Sequence, residues 1–312
     1  MSISKTAVVL VTYGQWEKTE LCLKDLRTLP ENRFRIFVVD NGSTDGTPQN
    51  IEREFPEVRL FCPQANLGFG AANNRGVELA RKSGERFDSI LLLNNDTRIP
   101  QGTLEALQGD LTRFPNDVVV PRLRNADGSV QKNWFSEISH PQFFLNAFRT
   151  QKAAERYVHG KTIPIPNTPF REARWTNAAA WLMTVETWER VGGFDENFFM
   201  YYEDVDWAYR AREKGIRFLI DTETSIVHLD GGSAKSALSR SMQHDSSQLY
   251  FYRKHFGFGG ALLSRAFRFV RSLVRITMLA PKTPFSEAAR KNVKIHFYLL
   301  LLSMGFLKCL RK

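Results

Sequence analysis

The 312-residue sequence predicts an α/β fold in which helices cover both faces of a mostly parallel sheet. Through the first 120 residues, short β-branched and apolar runs alternate with segments of helical periodicity, as expected for successive βαβ units. The 43% hydrophobic content is enough for a buried core, and the length suits one α/β domain with an appendage.

Polar residues are expected to gather at one edge of this sheet. The predicted strands are Ala7–Thr12, Phe34–Asp40, Val58–Cys62, Ser89–Leu93 and Val118–Val120. The predicted helices between them and after them are Trp16–Thr28, Thr47–Phe55, Gly70–Ser83 and Thr103–Phe114. The carboxyl ends of parallel strands meet at one edge, where open α/β folds bind ligands. The polar residues at these strand ends are Thr12, Tyr13, Asp40, Asn41, Asn94, Asn95 and Asp96.

The second half of the chain is less regular at first. Residues 121–174 lose the alternation, and we interpret them as a variable region in which Asn125–Gly128 is typical of a hairpin turn. Regularity returns from Trp175 to His228. The elements predicted there are the helices Thr187–Val191 and Glu203–Lys214 and the strands Arg217–Ile220 and Ser225–His228.

The C-terminal region is strongly basic. Residues 235–312 hold 15 Lys or Arg and two acidic residues, a net charge of +13, which leaves −3 for residues 1–234. Projection of Ala261–Leu279 as a helix separates arginines from apolar residues. The two faces are Arg265, Arg268, Arg271 and Arg275 against Leu263, Phe267, Val270 and Val274. We therefore expect residues 261–312 to contact an anionic membrane surface, with a merely solvated basic face as the alternative.

Other features limit the location and the partners of the chain. Ile295–Leu307 is mostly apolar but falls short of the roughly 20 residues that span a bilayer. The N-terminus does not have the flanks of a signal peptide, and the three cysteines lack the spacing of a disulfide framework or a zinc site. The tail has no evident nucleic-acid recognition fold. We expect a cytoplasmic protein that lies peripherally on a membrane and binds no nucleic acid.

The residues at two strand ends have both a chemical and a structural interpretation. Asp40 ends a strand, where its carboxylate can accept the N3–H of a uracil or thymine base, whereas adenine has no such ring donor. Asp96 places a carboxylate directly after the two amides of Asn94 and Asn95. This carboxylate is either part of a ligand site or a turn cap. Gly68-x-Gly70 opens a helix as in a dinucleotide fingerprint, but Asn73 stands at the third glycine position, which disfavours that interpretation.

Two later segments contain further candidates. Glu203, Asp204 and Asp206 lie in the aromatic stretch Phe198–Trp207. Desolvation there would raise a carboxylate pKa and strengthen it as a base, although acids in a first helical turn are also ordinary. His228 ends an apolar run and is a metal candidate if that run ends near the other strand-end acids.

Several motifs occur together in one order along the chain. They are Val11–Tyr13, Val38–Thr47, Asn66–Gly70, Leu93–Asp96, Gly192–Glu196, Phe199–Trp207 and His228. In this combination the chain resembles the inverting family 2 glycosyltransferases of GT-A fold, and most closely their rhamnosyltransferase branch. The resemblance covers about residues 5–233. It implies a GT-A domain over residues 1–234, with a nucleotide-binding half at 1–120 and an acceptor-facing half at 121–234, followed by a basic helical region at 235–312.

The resemblance also implies a role for each candidate residue. A nucleotide-sugar donor would be held by Thr12, Tyr13, Asp40, Asn41, Gly68, Asn73, Asn74, Asn94, Asn95 and Trp181. Asn94-x-Asp96 falls on the family's D-x-D motif, so Asp96 and His228 are expected to bind Mg²⁺ or Mn²⁺. Asp204 is the expected general base, and Glu203 would position it or the acceptor. Because Asn94 replaces the first carboxylate of the motif, we expect metal binding to be weak or to need the donor phosphates.

The expected reaction is inverting transfer of a sugar from a nucleotide-sugar donor to a glycan or to a polyprenyl-diphosphate-linked acceptor. The resemblance favours L-rhamnose from dTDP-rhamnose, used in cell-surface polysaccharide synthesis on the cytoplasmic face of the inner membrane. The alternative from a different class is a catalytically inactive GT-A protein that only binds nucleotide or glycan.

Overall fold

The computed structural model describes residues 5–135, 161–229 and 237–305. They form two compact units. The first contains residues 5–135, 161–197 and 203–229, and the second contains 198–202 and 237–305. Part of the predicted variable region and the last residues of the predicted segment Ile295–Leu307 lie outside the described residues.

The strands and helices of both units are as follows. The strands are β1 Thr6–Thr12, β2 Phe34–Asp40, β3 Arg59–Phe61, β4 Ser89–Asn94, β5 Thr97–Arg98, β6 Val118–Arg124, β7 Trp134–Phe135, β8 Ile163–Pro164, β9 Phe170–Ala173, β10 Trp175–Thr176, β11 Ala180–Thr184 and β12 Phe218–His228. The α-helices are α1 Trp16–Arg27, α2 Thr47–Glu54, α3 Phe69–Lys82, α4 Thr103–Arg113, α5 Val185–Val191, α6 Glu203–Glu213, α7 Ala237–Leu279 and α8 Glu287–Met304.

The first unit is built on one large sheet with the order β3-β2-β1-β4-β11-β6-β12-β9-β8, and β5 pairs with β12. Strands β1 to β4 pair in parallel, as predicted. Thr12 lies opposite Asp40, and Val11 lies opposite Asn94, so the three predicted strand ends meet at one edge. The predicted α/β fold class is therefore confirmed.

Several parts of the sheet differ from the prediction, and β5, β8 and β9 are among the strands that were not predicted. Strand β11 was not expected; it runs antiparallel between β4 and β6, and all of its residues are buried, so its sequence has no alternation that marks a strand. The strands predicted at 217–220 and 225–228 are a single strand, β12, whose register shifts between Asp221 and Ser225. Asp221 produces the irregularity, because its carboxylate accepts hydrogen bonds from the N–H groups of Glu223 and Thr224 at 2.8 and 3.0 Å.

The same irregularity predicts a pH dependence of stability. Burial and the neighbouring carboxyl group of Asp221 raise the pKa of Asp110 to about 7. A carboxyl group whose pKa is raised by folding stabilises the protein below its unfolded pKa of about 3.9, and this stability is lost as pH rises through the folded value. We expect the melting temperature of the wild type to fall relative to Asp110→Asn between about pH 4 and pH 8, measured by thermal denaturation. A difference in melting temperature between the wild type and Asp110→Asn that does not change with pH would contradict the raised pKa of Asp110.

The second unit is helical. Helix α7 bends at Gly257, where φ is 66°, and its C-terminal part packs with α8. Side chains buried in this unit include Ser264, Arg268, Ser272 and His296. No helix within 5–135, 161–229 and 237–305 combines the length and apolarity needed to cross a membrane.

This packing contradicts one part of the arginine face that was predicted for the tail, because one of its four arginines is buried. Arg265 is exposed, but Arg268 is only 3% exposed. Its Nε lies 3.4 Å from the carboxylate of buried Asp245, and its Nη2 donates to Gln248 Oε1 at 2.7 Å. The buried carboxylate of Asp245 requires a counter-charge, which Arg268 supplies. Helix α7 bends at Gly257, before Arg268.

Candidate active site

A carboxylate and an imidazole form a pair at the carboxyl edge of the main sheet. Asp96 follows β4, and His228 ends β12, where it pairs with Thr97 of β5. His228 Nε2 lies 3.2 Å from Asp96 Oδ1, and both side chains are buried. The amide nitrogen of Asn94 lies 3.3 Å from the same Nε2. The structure thus brings together three predicted site residues from distant parts of the sequence.

The surroundings of Asp96 favour its negative charge. Burial alone would raise the pKa of its carboxyl group, but the nearby His228 and the positive charge of Lys18 outweigh burial and lower the pKa below its usual value. Apart from its contact with His228 Nε2, the buried Asp96 Oδ1 has no hydrogen-bond partner in the described part of the chain. A buried carboxylate oxygen is costly without a partner, and a bound cation removes that cost.

The pair fits part of a divalent-cation site. Carboxylate oxygen suits Mg²⁺ and Mn²⁺, and imidazole nitrogen is a further ligand of transition metals. A spacing of 3.2 Å suits two neighbouring ligands of one ion when each bond is roughly 2.1 Å long. Among the described residues, no three His, Cys, Asp or Glu side chains cluster closely enough to hold a metal. Asp96 and His228 would therefore need ligand or water oxygens to complete the site.

Asp40 presents a free acceptor at the neighbouring strand end. Its Oδ1 accepts hydrogen bonds from the N–H groups of Gly42 and Ser43 at 3.2 and 2.8 Å. Its Oδ2 is buried and has no partner among the residues that the structure describes. Because a carboxylate oxygen can only accept, Oδ2 is available to a ring N–H of a ligand. Tyr13, the other predicted nucleoside contact at this edge, is half-buried.

Asn41 and Gly68 shape the loop beside this acceptor. Asn41 Nδ2 donates to Asn66 Oδ1 and to the carbonyl of Gly68 at 2.9 and 3.2 Å, and its Oδ1 accepts from Leu67 N–H at 2.7 Å. Gly68 precedes α3 with φ of 84° and ψ of 170°, a conformation that favours glycine. The side chain of Asn41 is therefore already used to hold the loop.

Thr12, Asn95 and Asn73 also hold the backbone around the site. Asn95 Nδ2 donates to Thr19 Oγ1 at 2.8 Å and to Thr12 Oγ1 at 3.3 Å, which joins the turn after β4 to β1 and α1. Asn73 is buried and donates to the carbonyl of Phe69 one helical turn earlier. These predicted ligand contacts position the surrounding elements in this structure.

Asn74 and Trp181 serve packing rather than offering free polar groups to a ligand. Asn74 accepts from the N–H of Phe194 at 2.8 Å and donates to the carbonyl of the same residue at 2.9 Å and to Glu196 at 3.0 Å. Trp181 is fully buried, and its indole N–H donates to Thr176 at 2.8 Å. The whole side chain of Trp181 lies in the core of this structure, and its contact with the donor stays a prediction.

Packing explains why residue 70, the second glycine of the apparent dinucleotide pattern, is a glycine. A Cβ at this position would lie 2.9 Å from the Cβ of Phe194 and 3.3 Å from the Cβ of Glu203. The first of these distances is shorter than carbon atoms tolerate. Glycine is therefore needed for α3 to approach the start of α6.

Glu203 and Asp204 begin α6 and differ in their surroundings. Glu203 is 5% exposed, and its Oε2 has no hydrogen-bond partner within the described ranges. Burial, and then the negative charge of Asp204, raise the pKa of Glu203 well above its ordinary value. Asp204 is half-buried, and its Oδ1 accepts from Val205 N–H at 2.8 Å. Burial therefore favours the protonated form of Glu203, and Asp204 is the more accessible carboxylate.

Asp206, the third acid of this segment, has a structural role. It is fully buried and accepts a hydrogen bond from Arg210 Nε at 2.9 Å. Arg210 in turn donates to the carbonyls of Val191 and Gly193, each at 2.8 Å, and Trp207 donates to the carbonyl between them. The pair anchors the turn after α5 to α6, a function of Arg210 that the sequence did not reveal.

The two residues before α6 have a strained backbone. Tyr201 and Tyr202, which belong to the second unit, have φ of 67° and 68°. Left-handed conformations cost about 1–2 kcal/mol for residues that carry a Cβ. Within the second unit, Gln248 Nε2 donates to the hydroxyl of Tyr202 at 2.5 Å, and the Tyr202 ring contacts His244 and Phe251. Strain of this kind concentrates at functional sites, which agrees with the predicted importance of the next two residues.

Gln131 is a neighbour of the site that was not expected. Its Oε1 lies 2.8 Å from His228 Nδ1. The two residues are 97 positions apart, and glutamine carries no motif of its own, so no signal in the sequence could have joined them.

Comparisons with known proteins identify relatives of the chain. The sequence model of "Glycosyl transferase family 2" matches residues 7–172. The N-acetylglucosaminyl-diphospho-decaprenol L-rhamnosyltransferase of Mycobacterium tuberculosis is 29% identical, covering 92% of this chain and 96% of its own length. The dTDP-rhamnosyl transferase RfbF of Shigella flexneri is 23% identical, covering 80% of this chain and 77% of its own length. The predicted resemblance to the rhamnosyltransferase branch is thereby confirmed.

Solved structures show the same fold. The mannosyltransferase PcManGT from Pyrobaculum calidifontis, in complex with GDP-Man and Mn²⁺, aligns with a TM-score of 0.52 at 15% identity over 97% of this chain and 86% of that one. S. aureus TarS 1-349 aligns with a TM-score of 0.51 at 13% identity over 96% and 92%. The predicted GT-A fold is confirmed by these neighbours. With the family match over residues 7–172, the conclusion is that the chain belongs to glycosyl transferase family 2.

Proposed function

We propose that this glycosyltransferase inverts the anomeric carbon of a nucleotide-sugar donor as it transfers the sugar to an acceptor hydroxyl. The observation that carries the proposal is the edge of the sheet at which the Asp96–His228 pair lies, since the free acceptor of Asp40 lies on the same edge. The Asp96–His228 pair suits the cation and diphosphate of a donor, and the free oxygen of Asp40 suits the base of the same donor. A site that offers both kinds of group matches a nucleoside diphosphate sugar.

Asp204 is the proposed general base. Two adjacent acids rarely ionise together at a buried site, and here Glu203 is the one that burial keeps protonated. Asp204 can therefore take the proton of the acceptor hydroxyl while its oxygen attacks the anomeric carbon. Direct attack with departure of the nucleoside diphosphate gives inversion. Neutral Glu203 can donate a hydrogen bond that orients the acceptor or Asp204.

Asp96 and His228 are the proposed protein ligands of Mg²⁺ or Mn²⁺. When bound, the cation neutralises the charge that develops on the departing diphosphate. Asn94 supplies no negative charge, and the described residues offer two ligands, which supports binding that depends on the donor phosphates. The Mn²⁺ in the PcManGT complex is in keeping with this proposal for a protein of the same fold.

The proposed donor is dTDP-rhamnose. The rhamnosyltransferase names of the two relatives support the sugar, and the free oxygen of Asp40 supports a pyrimidine base. A thermal-shift titration in the presence of Mn²⁺ tests the donor, because a ligand that binds only the native state raises the melting temperature. We expect stabilisation in the order dTDP-rhamnose, dTDP and then ADP. A preference for ADP would contradict the assignment of Asp40.

The proposed acceptor is a glycan on a polyprenyl diphosphate. The mycobacterial relative is named for such an acceptor, and a substrate of this kind stays in a membrane. We accordingly propose a peripheral position on the cytoplasmic face of the inner membrane, through residues 261–312.

The surface of the second unit supports this position. Its exposed apolar side chains form what we call the apolar face. They are Phe258, Leu262, Leu263, Phe269, Val270, Leu273, Met278, Phe285, Phe297 and Met304. Phe258 is 82% exposed and Phe285 is 91% exposed, which is unfavourable in water. Exposed basic residues lie in the same segments, so an anionic lipid surface would bury the apolar groups and meet the charges.

Binding to vesicles tests the apolar face. We expect the full chain to sediment with phosphatidylglycerol vesicles and much less with phosphatidylcholine vesicles. The Leu262→Glu/Leu273→Glu variant should bind at least tenfold more weakly, because each buried leucine contributes about 1.5–3 kcal/mol. Gln49→Glu/Gln101→Glu adds the same charge to exposed positions of the first unit and is the control. Equal loss in both variants would assign the effect to charge alone.

A binding protein without catalytic activity is the second candidate. The presence of Asp96, Glu203 and Asp204 speaks against it. Slow hydrolysis of dTDP-rhamnose in the absence of an acceptor would exclude a purely binding role, because water then takes the place of the acceptor hydroxyl.

A further inference from the structure

The two residues that precede α6 have a backbone that other contacts must hold in place. Tyr201 and Tyr202 have φ of 67° and 68°, so two bulky residues in succession adopt the left-handed region. This conformation is unfavourable for a side chain with a Cβ, and it persists only where the surrounding structure fixes it. Tyr202 is covalently joined to Glu203, the first residue of α6, and Asp204 follows. Whatever holds Tyr202 therefore also holds the start of the helix that carries the proposed base.

One face of α7 supplies the contacts that hold this segment within the second unit. Its residues are three or four positions apart, the spacing that places side chains on one side of a helix; they are His244, Ser247, Gln248 and Phe251. Ser247 Oγ donates to the carbonyl of Met200 at 2.8 Å, which fixes the backbone before the two tyrosines. Gln248 Nε2 donates to the hydroxyl of Tyr202 at 2.5 Å. The rings of His244 and Phe251 lie 5.2 and 5.6 Å from the Tyr202 ring, between centroids. Tyr202 is thus held at its ring and at its hydroxyl.

Arg268 decides which way the amide of Gln248 points. Arg268 Nη2 donates to Gln248 Oε1 at 2.7 Å. A guanidinium group has donors only, so the amide oxygen must face Arg268, and the amide nitrogen must face the hydroxyl of Tyr202. The reversed amide would set its own N–H groups against those of Arg268. The direction of the bond to Tyr202 therefore follows from the position of the guanidinium group.

Arg268 is itself fixed by Asp245. Its Nη1 donates to the carbonyl of Asp245, and its Nε lies 3.4 Å from the carboxylate of the same residue. Arg268 is 3% exposed and Asp245 is 5% exposed. Arg268 lies after the bend at Gly257, whereas Asp245 and Gln248 lie before it, 23 and 20 positions earlier in the chain. The buried ion pair joins the two parts of α7 at the place where Gln248 reaches Tyr202.

We infer that Gln248 and Arg268 are positioning residues for the proposed general base, an inference that rests on the proposed role of Asp204. Through Tyr202 they fix the backbone before α6 and, with it, the direction of the Asp204 carboxylate. A base must lie within hydrogen-bond reach of the proton that it takes, and a displacement of about 1 Å can lower a rate by about a hundredfold. Without the hold on Tyr202, the strained residues relax toward an ordinary φ, which turns the chain where α6 begins.

The Gln248→Met variant tests the connection, because it removes both hydrogen bonds of the amide and keeps the length of the side chain. We expect kcat to fall about ten- to a hundredfold. The KM for dTDP-rhamnose and the number of dTDP sites per chain, measured by calorimetric titration, should stay unchanged, because the proposed contact of the nucleobase is with Asp40. Partial unfolding would instead lower kcat and the number of dTDP sites together.

Two further variants complete this test. Tyr202→Phe removes a single oxygen atom from the same hydrogen bond and should likewise lower kcat without changing the number of dTDP sites. Gln243→Met makes the same replacement on another side of α7 and is the matched control, with kcat expected to equal that of the wild type. Wild-type kcat in both Gln248→Met and Tyr202→Phe would overturn the inference, as would a loss in Gln248→Met that Gln243→Met reproduces.

Double variants show whether the effect passes through Tyr202 and Asp204. Gln248→Met/Tyr202→Phe should be no slower than the slower single variant, because both changes remove one shared bond. In the Asp204→Asn protein, Gln248→Met should change the remaining kcat less than about twofold, since no base is left to position. Additive losses in the Asp204→Asn protein would overturn the inference and leave the proposed base intact. An Asp204→Asn protein with wild-type kcat would instead refute the proposed base, and the inference with it.

Discussion

The Asp204→Asn variant is expected to lose about two to four orders of magnitude in kcat, because an amide cannot take the proton of the acceptor hydroxyl. The change preserves the shape of the side chain, so donor binding and the melting temperature should remain close to the wild type. The measurement is the initial rate of sugar transfer to a polyprenyl-diphosphate-linked acceptor, with donor binding followed separately by thermal shift.

The neighbouring acid provides the comparison. Because burial raises the pKa of Glu203 and favours its protonated form, Glu203→Gln keeps a neutral hydrogen-bond donor at the same place and should retain activity within about tenfold. Glu213→Gln, at the exposed end of the same helix, should have no effect. If Asp204→Asn remained active and Glu203→Gln did not, the roles of the two acids would be reversed.

The Asp96→Asn variant is expected to lose cation binding in the presence of dTDP by about two orders of magnitude or more, since it removes one of the two proposed protein ligands and the only negative charge of the proposed pair. Titration of Mn²⁺ by electron paramagnetic resonance measures this directly. Binding of dTDP without a metal should persist, because the proposed contact of the base is with Asp40. Transfer by the wild type should likewise cease in excess chelator.

A substitution in the opposite direction sharpens this test. Asn94→Asp restores two carboxylates at the strand end and should tighten Mn²⁺ binding in the absence of dTDP. Unchanged Mn²⁺ affinity in Asp96→Asn, or undiminished transfer in chelator, would show that the Asp96–His228 pair does not hold a catalytic cation.

Much of the fold and part of the site were predictable because their signals are local. The alternation of strands and helices is determined by residues that are neighbours in sequence. A polar residue after an apolar run likewise marks the end of a buried strand. Asp40 and Asp96 were found in this way. Strand β11 was missed for the same reason, since a strand buried on both faces has no alternation to detect.

The roles of individual side chains were less predictable, because each depends on partners far away in the sequence. Asn41, Asn74 and Trp181 were predicted to contact the donor, yet their polar groups are occupied by the loops and the core around them. Arg268 follows the helical pattern of a solvated arginine, yet it is buried with Asp245.

The sequence by itself determined the family, the strand ends at which the proposed site lies and the basic character of the tail. Periodicity, composition and motif order carry that information without any contact between distant residues. Only the tertiary structure decided that Glu203 is the buried acid, that Arg268 lies inside and that Gln131 contacts His228. Burial and hydrogen-bond direction are properties of the neighbours that folding brings together, and those neighbours are not adjacent in the sequence.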